Sequence, residues 1–328
     1  MGADDQPLQE ELGLKLLALV FAAAPAFAQV ANMPPQVQQR LAEVGPVWGK
    51  DLGGNIQKTL EVYTPLLAVA PKQGVTVQRD LAYGPDPRHR ADIFRADGLK
   101  NAPVVVFLHG GAYVRGDRDV NAEVYGNVPT YFARQGMLGV NATYRLAPAA
   151  QWPAAAQDVA SLVTWLKGNA TRFGGDPSRI YLIGHSAGAT HVATYVYFKE
   201  MQPPGGHGLA GIVLMSGRYH FDPHPSDPNL KNFQAYFGAE RSQYAARSPI
   251  THVKEAAPLP TFIVIAEYDN PDLDTQGALL LAALCERDRA CPRFTRMEKH
   301  NHLSEVYQFN TADEALGREI VEFIRRGR

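Results

Sequence analysis

The chain reads as an α/β protein, a mostly parallel β-sheet with helices on both faces, and three observations point there. From residue 75 onward, short apolar runs alternate with segments of helical period. Such alternation needs crossover connections, which makes the strands parallel and covers both faces of the sheet. The runs at 103–108 and 180–183 are almost continuously apolar, as strands buried on both faces are. Glycine-rich turns close these two runs, at 109–112 and 184–188, where open α/β sheets place their ligands.

The elements follow in order. Residues 1–28 resemble an export signal: an apolar stretch at 16–27 ends in Ala26-Phe27-Ala28 before Gln29, although Asp4, Asp5, Glu10 and Glu11 stand where positive charge is expected. About a dozen apolar residues are too few to span a bilayer, which takes about 20. The mature chain is then expected to begin at Gln29 and to reside in the periplasm or outside the cell. Residues 29–74 form a helical N-terminal segment expected to pack over the domain, with Val37, Leu41 and Val44 at helical spacing and Pro65 and Pro71 punctuating its end. The catalytic domain is expected over 75–328. Strands are predicted at 75–81, 90–94, 103–108, 137–144, 180–183, 211–215, 260–266 and 293–297, and helices at 125–135, 153–167, 187–199, 276–287 and 313–325. Residues 217–259, rich in proline and aromatics, form the expected cap insertion. Its Tyr219, Phe221, Phe233, Tyr236 and Phe237 suit an apolar pocket and the cap's own small core equally well.

Composition narrows the function. The chain has 328 residues, 45% hydrophobic and 20% charged, with a net charge of -1 and no basic tract. Disorder is excluded, and there is no electrostatic footprint for nucleic acid or an anionic membrane. A small, neutral or weakly charged molecule is the expected partner. Only two cysteines occur, Cys285 and Cys291. They match no zinc spacing, and in an oxidising compartment they suit a bridge over a short loop, with two free thiols as the alternative.

Gly184-His185-Ser186-Ala187-Gly188, lying between a predicted strand and a predicted helix, makes Ser186 a candidate nucleophile. A Gly-x-Ser-x-Gly in that setting is a nucleophile elbow, its glycines relieving crowding around a strained serine. Acyl transfer also needs donors for a developing oxyanion. The turn His109-Gly110-Gly111-Ala112-Tyr113 suits that task, and the role falls to the N–H groups of Gly111, Ala112 and Ala187. A serine hydroxyl needs a base, and the base a carboxylate, here expected in the chain order Ser, Asp, His. Asp269 follows a predicted strand, with Glu267, Asp272 and Asp274 as rivals. His302 follows the last one, with His300 as rival. Tyr113 and Tyr268 neighbour these positions and are expected in the substrate pocket. His220, Asp222 and His224 alternate in a loop, but nothing of metal-ligand spacing accompanies them, so neither metal nor other cofactor is expected.

Taken in order, His109-Gly110-Gly111-Ala112, Tyr144-Arg145-Leu146-Ala147-Pro148 with Trp152-Pro153 and Asp158, Phe173-Gly174-Gly175-Asp176-Pro177, the elbow, Glu267-Tyr268-Asp269 and Asn301-His302 resemble the α/β-hydrolase superfamily. Within it they are similar to hormone-sensitive-lipase-like carboxylesterases, bacterial feruloyl-esterase-like domains and kynurenine formamidases. The resemblance implies an eight-stranded, mostly parallel sheet, a Ser186, Asp269, His302 triad and metal-independent hydrolysis of a small or aryl carboxylic ester. An arylformamidase-type amidase uses the same machinery, and a hydrolase-fold binding protein without turnover is the reading from another class. Ala112 replaces the third glycine of the His-Gly-Gly-Gly form, and Asn270-Pro271-Asp272-Leu273-Asp274 departs from the lipase-like Asp-Pro-Leu-x-Asp run.

Overall fold

The computed structural model describes residue 30 and residues 32–327; the expected export signal at 1–28 lies outside the described residues. Eight strands form one sheet: β1 (Val75–Ala82), β2 (Arg90–Ala96), β3 (Ala102–Leu108), β4 (Leu138–Ala142), β5 (Gly175–His185), β6 (Gly211–Met215), β7 (Thr261–Tyr268) and β8 (Arg293–Asn301). Their spatial order is β1-β2-β4-β3-β5-β6-β7-β8. β2 runs antiparallel to β1 and β4, and every other neighbouring pair is parallel. The expected α/β class, with its eight-stranded, mostly parallel sheet, is thus the observed one.

The near-continuous apolar runs are explained by two cores. Alternate residues of β3 enter opposite ones: Val104, Val106 and Leu108 face the first, Val105 and Phe107 the second. Helices α4 (Ala154–Asn169), α5 (Ala187–Tyr197) and α8 (Leu273–Asp288) fill the first core with Leu162, Val192 and Leu280, among others. The second is filled by α1 (Pro35–Val44), α2 (Leu52–Ala68), α3 (Asn127–Arg134) and α10 (Ala315–Arg326) through Leu41, Tyr63, Phe132 and Ile320.

The N-terminal helices brace the ends of the strands that matter later. Pro35 opens α1, where its missing N–H costs nothing. Asp51 caps α2 by accepting from the Gly54 N–H at 3.0 Å. Trp48 Nε1 then donates to Asn270 Oδ1 at 2.9 Å, and Asn301 Nδ2 donates to Thr59 Oγ1 at 3.1 Å. One segment therefore ties down the loop after β7 and the end of β8.

Two boundaries moved for physical reasons. β5 begins at Gly175 rather than 180, because Gly175 pairs with Ala102 before a register shift. β8 runs to Asn301, beyond the expected 297, past an irregularity at which Lys299 adopts φ 64°. The insertion after β6 holds α6 (Leu230–Phe237) and α7 (Tyr244–Arg247), and its Tyr219, Phe221, Tyr236 and Phe237 are buried in the first core. Cys285 and Cys291 are bridged across the turn from α8 to β8. α9 (Ser304–Tyr307), a single turn after β8, completes the helices used below.

Candidate active site

Ser186 sits at the junction of β5 and α5 with φ 56° and ψ -120°, a backbone conformation costly for a non-glycine residue. The turn is held because the Ser186 N–H donates to the Met215 carbonyl at the end of β6, at 2.8 Å. At Gly188 the first turn of α5 passes against β3, and a Cβ there would overlap the Leu108 carbonyl oxygen. The spacing of the motif is thus a packing requirement. Ser186 Oγ itself has no hydrogen-bond partner among the described residues.

Opposite the serine lies the loop after β3. Gly111 has φ 134°, and Ala112 and Tyr113 have φ 49° and 70°. The N–H groups of Gly111 and Ala112 donate to no backbone carbonyl outside helices and strands, and Ala187 opens α5, where the N–H has no partner within the helix. All three residues line one chamber with Ser186. The loop is held from behind. Tyr144 stacks on His109 with ring centroids 4.5 Å apart and donates its hydroxyl to the His109 carbonyl at 2.6 Å. Arg145, the next residue, donates from its backbone N–H, Nε and Nη2 to the buried Asp158 carboxylate at 2.8, 2.8 and 2.6 Å, and His89 Nε2 lies 2.9 Å from the same group. The Tyr-Arg-Leu-Ala-Pro stretch and Asp158 therefore form a strut beneath the donor loop.

His302 Nδ1 meets Asp269 Oδ1 at 2.7 Å, which leaves the far nitrogen, Nε2, for the chamber that both Ser186 and His302 line. Asp269 is fixed in turn: its Oδ2 accepts from Ser216 Oγ at 2.5 Å and its Oδ1 from the Asn270 N–H at 2.8 Å. The rivals are engaged elsewhere. His300 is buried between Ser304 Oγ and Asp313 Oδ2, each at 3.0 Å, and Glu267 accepts from the Lys299 N–H at 2.6 Å.

Behind this pair lies Glu305, on α9, fully buried, with no hydrogen bond of good geometry to either carboxyl oxygen. Burial and the nearby Asp269 charge push its pKa well above the usual carboxylate range, which favours the neutral acid. His185 Nε2 stands 3.2 Å from it and 2.8 Å from the His302 carbonyl; burial lowers the His185 pKa to about 4 and keeps that ring neutral as well. A raised carboxyl pKa in the folded state means stability that is fully present below the unfolded value of about 4.3 and is lost as pH rises toward the folded one. Glu305→Gln removes that loss. Its unfolding free energy relative to the parent should climb between pH 4.5 and pH 8, by up to about 1.4 kcal/mol per pH unit, with the melting temperature rising in step. A pH-independent difference would show Glu305 ionised in the folded protein.

The chamber has a volume of about 280 Å³ and is walled by Tyr113, Phe233, Leu273 and Leu303, with Ile56 contributed by α2. Tyr113 is buried in an aromatic cluster, 5.5 Å from Tyr236 and 5.0 Å from Phe237 between ring centroids. Of the two tyrosines expected in the pocket, the structure brings Tyr113 to the chamber and not Tyr268, whose ring lies against Gly45. Neighbouring residues at a strand end point to opposite sides, so adjacency to Asp269 sends Tyr268 away from it. The His220, Asp222 and His224 trio is not gathered: Asp222 pairs with Arg241 and His224 with Ser226. The group within metal-ligand reach among the described residues is His185, His302 and Glu305, of which His302 is already held by Asp269.

Solved structures share this architecture. An esterase from Pyrobaculum calidifontis superposes with a TM-score of 0.69 at 21% identity, over 89% of this chain and 98% of its own. A bacterial heroin esterase gives 0.68 at 21%, over the same shares. The chain has the α/β-hydrolase fold. The BD-FAE family model matches residues 91–202, the stretch that holds the donor loop and the elbow. Among curated proteins, the esterase LipC of Mycobacterium tuberculosis is 30% identical over 57% of this chain and 50% of its own length. LipQ of the same organism is 27% identical over 68% and 56%. A probable isoprenylcysteine alpha-carbonyl methylesterase of Arabidopsis thaliana is 35% identical over 38% and 28%. The chain spans about half the length or less of these curated relatives.

Several residues of the chamber escaped the sequence reading. Arg218, Asp227 and Asn229 come from the insertion, Ile56 from the N-terminal segment, and Tyr307 from the short α9. The buried position of Glu305 escaped it too. The spacing in His302-Leu303-Ser304-Glu305, one helical turn from base to acid, was the available signal.

Proposed function

We propose that this α/β-hydrolase is a serine carboxylic ester hydrolase acting on a small or aryl ester through Ser186, His302 and Asp269. The observation that supports it most is a strained serine sharing a chamber with an imidazole whose Nδ1 is bonded to a buried carboxylate, leaving Nε2 for the serine. His302 Nε2 takes the Ser186 proton as Oγ adds to the ester carbonyl. The Ser186–His302 hydrogen bond closes as substrate docks, since such bonds tighten in the Michaelis complex. The oxyanion is held by the N–H groups of Gly111, Ala112 and Ala187, and Asp269 stabilises the imidazolium. Collapse of the tetrahedral adduct breaks the bond to the alcohol, which leaves with the proton from His302. Water then repeats the attack on the acyl-enzyme and releases the acid. A chamber of about 280 Å³ suits a short acyl or single-ring group, and the esterase names of the relatives agree with the reaction class.

The purified protein is expected to turn over p-nitrophenyl acetate, to keep that activity in EDTA, and to take one fluorophosphonate adduct on Ser186 by peptide mass spectrometry. Neither turnover nor adduct would overturn the reading and revive the binding-protein alternative. We also propose export: the 1–28 segment and the Cys285–Cys291 bridge suit an oxidising compartment. No helix among the described residues is long and apolar enough to cross a membrane. An N-terminus at Gln29 in the fractionated protein is the expected result.

A further inference from the structure

Arg218 is the feature of the chamber that ester hydrolysis itself does not use. It follows β6 by three residues, and its side chain is 7% exposed. Its backbone N–H donates to Thr190 Oγ1 at 3.1 Å, beside the Tyr113 hydroxyl, which lies 3.3 Å from the same atom. Its guanidinium is anchored at one point, Nη2 to Asp227 Oδ2 at 2.6 Å, and the other oxygen of Asp227 is occupied by the Asn229 N–H at 2.8 Å. A guanidinium has five N–H donors. Among the described residues Nε and Nη1 have no partner, and neither is sealed from solvent. The side chain lines the same chamber as Ser186, so unmatched donors on it are available to a group bound there. Buried donors left unmatched by a bound ligand cost the full desolvation of the group. An all-hydrocarbon ester would impose that cost.

Resting on the hydrolase reading above, we propose that Arg218 is a specificity residue and that the substrate is an ester whose acyl or alcohol part bears an oxygen acceptor which meets the Arg218 guanidinium. Asp227 holds the fork in place and offsets its charge. Arg115, exposed on the same chamber and without an ion pair among the described residues, adds positive potential at the entrance and extends the acceptor range to a carboxylate.

The test compares kcat/KM by pH-stat within sets of similar shape. Butyl acetate is set against methoxyethyl acetate, with the ether in the alcohol part. Methyl hexanoate is set against methyl methoxybutyrate and monomethyl glutarate, with ether or carboxylate in the acyl part. In the native protein at least one oxygenated ester should be favoured by about tenfold or more, a margin of about 1.4 kcal/mol, and the favoured set tells ether from carboxylate. The preference should fall toward unity in Arg218→Lys, which keeps the ion pair but not the fork, and in Arg218→Met/Asp227→Leu, which leaves no unpaired charge. The quantity read is the ratio, so a variant of lower overall rate still reports. Preferences under threefold in the native protein, or an unchanged ratio in both variants, would overturn the assignment while p-nitrophenyl acetate turnover keeps the hydrolase reading intact. No turnover of any ester removes both.

Discussion

Ser186→Ala is expected to lower kcat for p-nitrophenyl acetate by about 10⁶-fold while the protein melts within a degree of its parent. Loss of a serine nucleophile elsewhere costs about this much in kcat, because the triad acts as a unit, and the factor corresponds to about 8 kcal/mol of transition-state stabilisation. The stability half follows from local structure. Ser186 Oγ has no hydrogen-bond partner among the described residues to lose, and alanine meets the same φ of 56° under the same strain. Fluorophosphonate labelling should vanish with the hydroxyl. A variant retaining a tenth of the native rate would move the nucleophile to another residue.

The largest expected effect on stability is at Asp158. Its carboxylate is 1% exposed, accepts three donors from Arg145 and lies beside the buried His89. Asp158→Ala leaves those donors without an acceptor, and breaking a buried pair costs about 3–5 kcal/mol. Arg145 is about a third exposed, so water recovers part of that and the low end, about 3 kcal/mol, applies. At roughly 2 °C per kcal/mol for a domain of this size, the melting temperature should drop by about 6 °C. Activity should drop further than the folded fraction does, because the strut under Tyr144 and His109 sets the donor loop. Asp158→Asn, which keeps one carbonyl oxygen, should recover part of both. An unchanged melting temperature would show the network to be incidental.

Much of this was legible in the chain. Strand runs such as 103–108 carry their own burial pattern, so the eight strands and their alternation with helices follow from local periodicity. Ser186 was legible because Gly188 answers to a backbone contact that the elbow makes wherever it occurs. Asp269 and His302 were legible as residues just past strand ends. Tyr268 was misjudged because sequence adjacency ignores the alternation of side chains at a strand end. Glu305 carries only its three-residue spacing from His302 as a local mark, and Arg218 and Ile56 carry none: each acquires its meaning from a partner far along the chain, in Asp269, Ser186 and the chamber walls.

The sequence by itself determined the fold class, the elbow, the donor loop and the candidate nucleophile, acid and base, because backbone conformation and hydrophobic period are written in runs of a few residues. Only the tertiary structure decided which carboxylate meets which imidazole, that Glu305 is buried beneath them, and that an arginine anchored on Asp227 lines the chamber. Those are consequences of burial and of charges brought within a few ångströms. Neither exists until the two cores have closed on the sheet.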